Sequence, residues 1–153
     1  MGDDLHASKL ILFVALSFFS QCLPSQTSDE CKNFFSHALD EHGKIISSYE
    51  INKQLRIYRC ALDRRPPEIS LAIYIANRGE PAIPVLLKRL ESEKDELFQY
   101  GIVDILEVMS MKGTLRNKPD VVNRVRQVVS RMKIPTFREM SEASLKTIEK
   151  NSQ

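Results

Sequence analysis

The chain has 153 residues, no tryptophan, few glycines and a formal net charge of +2. That length allows one modest domain with a core of its own. Scarce Trp and Gly argue against sugar-binding platforms and β-rich folds, and so small a charge does not by itself point to nucleic acid.

The first segment with a pattern is Leu10–Leu23, LILFVALSFFSQCL. It is apolar on every side, too short to span a bilayer, and preceded by Lys9, as in a secretory signal. Asp3 and Asp4 stand where such signals carry positive charge. Small residues at Ser20-Gln21-Cys22 and at Ser25-Gln26-Thr27 offer two cleavage points. The expected division is a signal over residues 1–27 and a single helical domain over 28–153. Phe19-Ser20-Gln21-Cys22 loosely resembles a bacterial lipobox, departing from it at Phe and Gln. In that alternative the signal ends before Cys22, which becomes a lipid anchor.

Everything after Ser28 reads as helix, in about seven pieces. Ser28 or Asp29 caps the first, with Phe34, Phe35, Ala38 and Leu39 at apolar spacing and Gly43 as its stop. The second runs from about Ser48 to Arg64 on a stripe of Ile51, Leu55, Tyr58 and Leu62. Pro66-Pro67 breaks the chain, and Pro67 opens a third helix striped by Ile69, Ala72, Ile73 and Ala76, with Gly79 past its end. Pro81–Ser92 carries Ile83, Leu86, Leu87 and Leu90. The fifth follows Asp95, carries Phe98, Ile102, Ile105, Leu106 and Met109, and ends at Gly113. Val122, Val125, Val129 and Met132 stripe the sixth. After Pro135 a last helix, with Thr136 and Glu139 at capping-box spacing, buries Met140, Leu145 and Ile148. No sustained alternation of period two suggests a sheet.

Setting Cys22 aside leaves Cys31 and Cys60 as an even pair. They lie at similar distances on either side of a turn expected near Lys44–Ser47, so an antiparallel helix pair would bring them together. The resulting disulfide would stabilise the fold by about 3–4 kcal/mol in the chain-entropy account. It also requires an oxidising compartment, in agreement with export. The rival reading is a zinc site of Cys31, His37, His42 and Cys60. It is disfavoured because the two histidines are not spaced to share a helix face and no C-x-x-C occurs. No metal and no cofactor are expected.

Residues 81–110 resemble one HEAT repeat: Ala82-Ile83-Pro84-Val85-Leu86-Leu87, then Leu90, a polar turn at Ser92–Lys94, and a second helix with Gly101, Ile105 and Leu106. A departure is Leu97-Phe98-Gln99, where the family often has Val-Arg. A second pair at 119–149 follows at an offset within the HEAT range. The resemblance implies an all-α stack of antiparallel hairpins, an α-solenoid fragment whose second helices line a concave face. Gln99, Tyr100, Asp104 and Glu107 are the candidates for that face; the plain alternative is a solvated helix side.

Charge is most uneven over Lys112–Lys133, where Lys112, Arg116, Lys118, Arg124, Arg126, Arg131 and Lys133 meet one acid, Asp120. Arg124 and Arg131 share one side of the sixth helix and are candidates for contacting an anionic partner. The basic residues also spread around the apolar stripe, as on a solvated helix. Glu91, Glu93, Asp95 and Glu96 gather at a helix-to-helix turn, where they favour the helix N-terminus; catalysis there is disfavoured. His37 and His42 are read as surface histidines, with no nucleophile motif beside them.

The sequence thus predicts an exported, non-enzymatic protein-binding module. The alternative is a small periplasmic inhibitor or immunity protein that neutralises an envelope-acting enzyme; an envelope hydrolase or its activator ranks third. The expected partner is another protein or an anionic envelope component, not nucleic acid. Contact with a membrane is expected only through the signal or a lipid on Cys22.

Overall fold

Prolines and glycines punctuate the computed structural model, which describes residues 25–153, into eight α-helices. These are α1 (Ser25–Phe34), α2 (His42–Ser48), α3 (Ile51–Leu62), α4 (Ala72–Ala76), α5 (Ile83–Ser92), α6 (Glu96–Met111), α7 (Pro119–Val129) and α8 (Pro135–Asn151). No strand occurs among the described residues. Residues 1–24, with most of the expected signal and Cys22, lie outside them. No described helix is long and apolar enough to cross a membrane.

Local chemistry sets the boundaries. Glu50 precedes α3 and accepts hydrogen bonds from the N–H groups of Asn52 and Lys53 at 2.7 and 2.5 Å, satisfying donors the first turn cannot. Asp95 does the same for α6 through Leu97 N at 3.1 Å. Proline occupies the first turn of α5, α7 and α8, where its missing N–H costs nothing. Beyond α4 and α6 the chain turns at Gly79 (φ 68°) and Gly113 (φ 78°), left-handed backbone that glycine adopts without strain.

The helices meet in series. Helix α2 contacts α4, α4 contacts α6, and α6 contacts α8, while α1 meets α3 and α5 meets α7. The core runs through this series. Ile83, Leu86, Leu87 and Leu90 of α5 are buried, as are Phe98, Ile102, Ile105, Leu106 and Met109 of α6. Each large apolar side chain so buried is worth roughly 1.5–3 kcal/mol. Gly101 marks the crossing of α3 and α6: a Cβ there would fall 2.5 Å from Leu62 Cδ1 and 3.1 Å from Tyr58 Cε1.

Three expected elements differ in form. The first helix does not run on to Gly43. It ends at Phe34, the chain turns through 35–38, and a new helix, α2, begins at His42. Gly43 is therefore no helix stop; the Tyr74 ring lies against it, where a side chain would stand. The third helix does not open at Pro67 either. A 3-10 turn at Ile69–Leu71 precedes the short α4, and the buried stripe is Leu71, Ala72, Ile75 and Ala76, with Ile69 and Ile73 exposed. On α8 the buried edge is Ser141, Ser144, Leu145 and Ile148, with Met140 exposed. One position separates Met140 from Ser141, a rotation of about 100°.

Cys31 and Cys60 are joined in a disulfide, with Cα atoms 6.2 Å apart, as the cysteine pairing predicts. The bond ties α1 to α3, and the turn expected between them is itself the helix α2. Buried Gln54 holds this end together: its amide donates to Ile46 O at 2.8 Å and its carbonyl accepts from Arg78 Nε at 2.8 Å.

The α3–α6 crossing leaves no room for a branched side chain. Gly101→Val should lower unfolding free energy by about 1–3 kcal/mol, read from urea melts. An unchanged midpoint would show that the two helices can part there without cost.

Candidate functional site

Of the residues proposed for a binding face, Gln99, Asp104 and Arg124 have partners within the fold. Gln99 donates to Leu90 O at 3.3 Å and Glu93 O at 3.0 Å, clipping the α5–α6 turn. Asp104 is partly buried and accepts from Tyr58 Oη at 3.1 Å. Burial holds its carboxyl above the ordinary value; the Tyr58 bond opposes that rise and the nearby Glu107 charge adds to it. Tyr100 feels both carboxylates, and its phenol is raised by burial and then by Asp104 and Glu107. Arg124 forms a two-pronged pair with Glu91 at 2.6 and 2.8 Å. Gln99 and Arg131 line one small pocket of about 300 Å³, also edged by Lys94 and Lys133.

Part of the basic stretch is likewise engaged within the fold. Arg126 pairs with Glu149 at 2.8 Å, Lys118 with Glu80 at 3.2 Å, and Lys112 donates to Asn77. The acidic turn is occupied too. Glu93 accepts from Lys94 N and Asp95 N and pairs with Arg89 at 2.9 Å. Glu96 accepts from Lys133 N and Ile134 N at 2.7 Å each, fixing the entry to α8, and these bonds hold its carboxyl below the ordinary value. Each acid of the cluster thus fastens a different neighbour, in keeping with a structural role at the turn.

A more open site lies elsewhere, between the 35–43 segment and the 64–74 segment. A groove of about 490 Å³ is walled by Leu39 on one side and by Pro66, Pro67, Ile69 and Tyr74 on the other. His42 and Glu68 also line it. His42 is not the surface histidine expected from the sequence: it is 3% exposed and lies against the rings of Phe34 and Phe35, 4.6 and 5.5 Å between centroids. The turn after Phe34 places it there. His37 is exposed, as expected.

The imidazole of His42 has acceptors at both nitrogens. Nδ1 meets Glu68 Oε1 at 2.8 Å and Nε2 meets His37 O at 3.2 Å. Both nitrogens are thus occupied by neighbouring oxygens. Neither nitrogen is left to face the groove, so the ring braces the groove rather than serving as a base within it. With Cys31 and Cys60 bonded to each other, the zinc reading loses its thiolate ligands.

Around this groove stand apolar residues that the fold leaves out of its core, Leu39 at 71%, Ile69 at 52% and Tyr74 at 36% exposed; Ile73, also exposed, does not line it. Sequence reasoning placed Leu39, Ile69 and Ile73 on core stripes and missed Arg64 and Glu68 altogether. One signal was present. Residues 69–76 carry Leu71 and Ile75 as well as Ile69 and Ile73, two competing stripes of which a short element can bury only one.

No family model matches the chain, and no curated protein and no solved structure matches it.

Two outcomes test these assignments. Glu68→Ala should cost about 1–3 kcal/mol by leaving a buried His42 donor without its acceptor, whereas Glu68→Gln, which keeps an acceptor, should cost less. Equal losses in urea titrations would mean that the pair does not brace the groove. For Asp104, a carboxyl pKa raised on folding means that the native state holds more protons between the ordinary value, 3.8, and the raised one. Stability therefore falls as pH rises through that window. Asp104→Asn keeps an acceptor for Tyr58 and should gain on the wild type over the range from the ordinary value to the raised one. A constant difference across that range would count against the raised value.

Proposed function

We propose that this chain is an exported, non-enzymatic binding module that holds a segment of a partner protein in the groove between Leu39 and Tyr74. The observation that carries the reading is the gathering of Leu39, Ile69 and Tyr74 in solvent around one cavity. Apolar side chains scattered singly need no explanation, whereas a contiguous group marks an interaction site. The groove walls are backed by the disulfide-tied α1–α3 pair and by the buried His42–Glu68 contact. Such backing lowers the ordering cost of binding.

Export is supported by the apolar segment at residues 10–23 and by the Cys31–Cys60 bond, which persists in oxidising compartments. A HEAT-like stack is supported by the pairing of α5 with α6 and α7 with α8, and by α5 lying on α7 and α6 on α8. A binding role rather than catalysis is supported by the inward-turned imidazole and by an acidic cluster whose members fasten neighbouring elements.

Selection of random peptides on the native protein tests the reading. Selected peptides should carry bulky apolar residues, and the double variant Leu39→Asp/Ile69→Asp should weaken them at least about tenfold. Its thermal stability should stay within about 0.5 kcal/mol, as for exposed sites. Peptides without apolar enrichment, or binding indifferent to the double variant, would put the binding surface elsewhere.

A further inference from the structure

We propose that the groove selects a partner segment in which a carboxylate lies between two bulky apolar side chains, with Arg64 as the residue that reads the carboxylate. The inference rests on the binding role argued above and names the chemistry of the partner. A second apolar depression of about 500 Å³ lies over the disulfide, lined by Cys31, Lys32, Phe35, Ser36, Cys60, Asp63 and Arg64. Arg64 lines both this depression and the main groove. It is therefore the shared wall of two adjoining cavities. Its guanidinium lies over the Phe35 ring, 4.2 Å from the centroid.

Arg64 differs from the arginines that stitch the fold together. Arg56, Arg59, Arg89, Arg124, Arg126 and Arg138 each have a carboxylate partner. Among the described residues, Arg64, Arg65, Arg78, Arg116 and Arg131 have none within ion-pair distance, and of these Arg64 alone lines both cavities. Arg65 instead donates to Arg64 O at 3.2 Å. Two acids stand nearby, neither within ion-pair distance of Arg64. Glu68 is bonded to His42, and Asp63 lines the depression beside Lys32, which itself pairs with Asp29 at 4.0 Å. Arg64 is thus an unpaired cation at the common wall of the two cavities.

A guanidinium held flat on an aromatic ring keeps its N–H edge available and loses little freedom when it pairs. A carboxylate is the planar group that matches that edge with two hydrogen bonds. Arg and aromatic residues together are also what interface hot spots are made of. In an extended segment, side chains two residues apart point the same way, about 6–7 Å apart. One apolar side chain would enter the groove, a central acidic side chain would meet Arg64, and a second apolar side chain would cover the depression beside Phe35.

Three fluorescent peptides test this on the full chain by polarisation. All carry two leucines, each two residues from a central position occupied by Glu, Ser or Lys. The Glu peptide should bind about tenfold tighter than the Ser peptide, with the Lys peptide weakest, and its advantage should shrink as salt is raised. Arg64→Gln should bring the Glu and Ser peptides level; Arg64→Glu should reverse the order of Glu and Lys. Equal binding of all three peptides, lost in Leu39→Asp/Ile69→Asp, would overturn the carboxylate proposal and leave the groove as the binding surface. No binding of any peptide would overturn both. Sedimentation showing a dimer that Ile69→Asp dissociates would put a second copy of the chain in the groove and overturn the proposal as well.

Discussion

Helix α6 has apolar side chains around most of its circumference, so it must be covered on most of its sides. Phe98, Ile102, Val103, Ile105, Leu106 and Met109 are all buried, and no single partner helix can cover so wide a band. Helices α3, α4, α5 and α8 share the task. Gly101 lets α3 approach. The arrangement of the other helices follows from this requirement, because each must present a stripe to α6 or to a neighbour that does.

Packing of this kind sets which faces meet but leaves helix ends and turns to polar groups. Glu93 closes the α5–α6 turn, Glu96 grips the backbone ahead of α8, and Gln54 with Arg78 ties α3 to the residues after α4. These contacts are directional and satisfy backbone or buried groups that would otherwise be left without partners. Some charged residues that looked available for binding, Lys118, Arg124 and Arg126 among them, are paired within the fold. Net charge in a stretch of sequence is therefore a poor guide to a free surface in so small a domain.

The groove arises where the helical series is least regular. Between Phe34 and Ala76 the chain makes two 3-10 turns, a cis Arg65–Pro66 bond and two short helices. Short elements bury one edge and leave the other in water. Here the exposed edges face a common cavity, with a buried His42–Glu68 contact behind them. The disulfide lies on the far side of Phe35 and holds α1 against α3. Rigid backing and apolar walls are what a binding site for a flexible segment requires.

Much of the fold was legible in the residues themselves. Helices α5, α6 and α7 follow from their apolar spacing, their prolines and their terminal glycines, because each is long enough for the 3.6-residue period to single out one stripe. The Cys31–Cys60 bond followed from cysteine parity and from the distance of each cysteine to a turn. Three features needed the tertiary structure: the break after Phe34, the choice of Leu71 and Ile75 over Ile69 and Ile73, and the burial of Ser141 in place of Met140. In each, two neighbouring registers have similar local preference, and only the space left by other helices selects between them. The groove is walled by Ile69, one of the residues that lost that selection, together with Leu39 and Tyr74. Its walls are therefore apolar by sequence, but only the packing of the other elements leaves them in solvent.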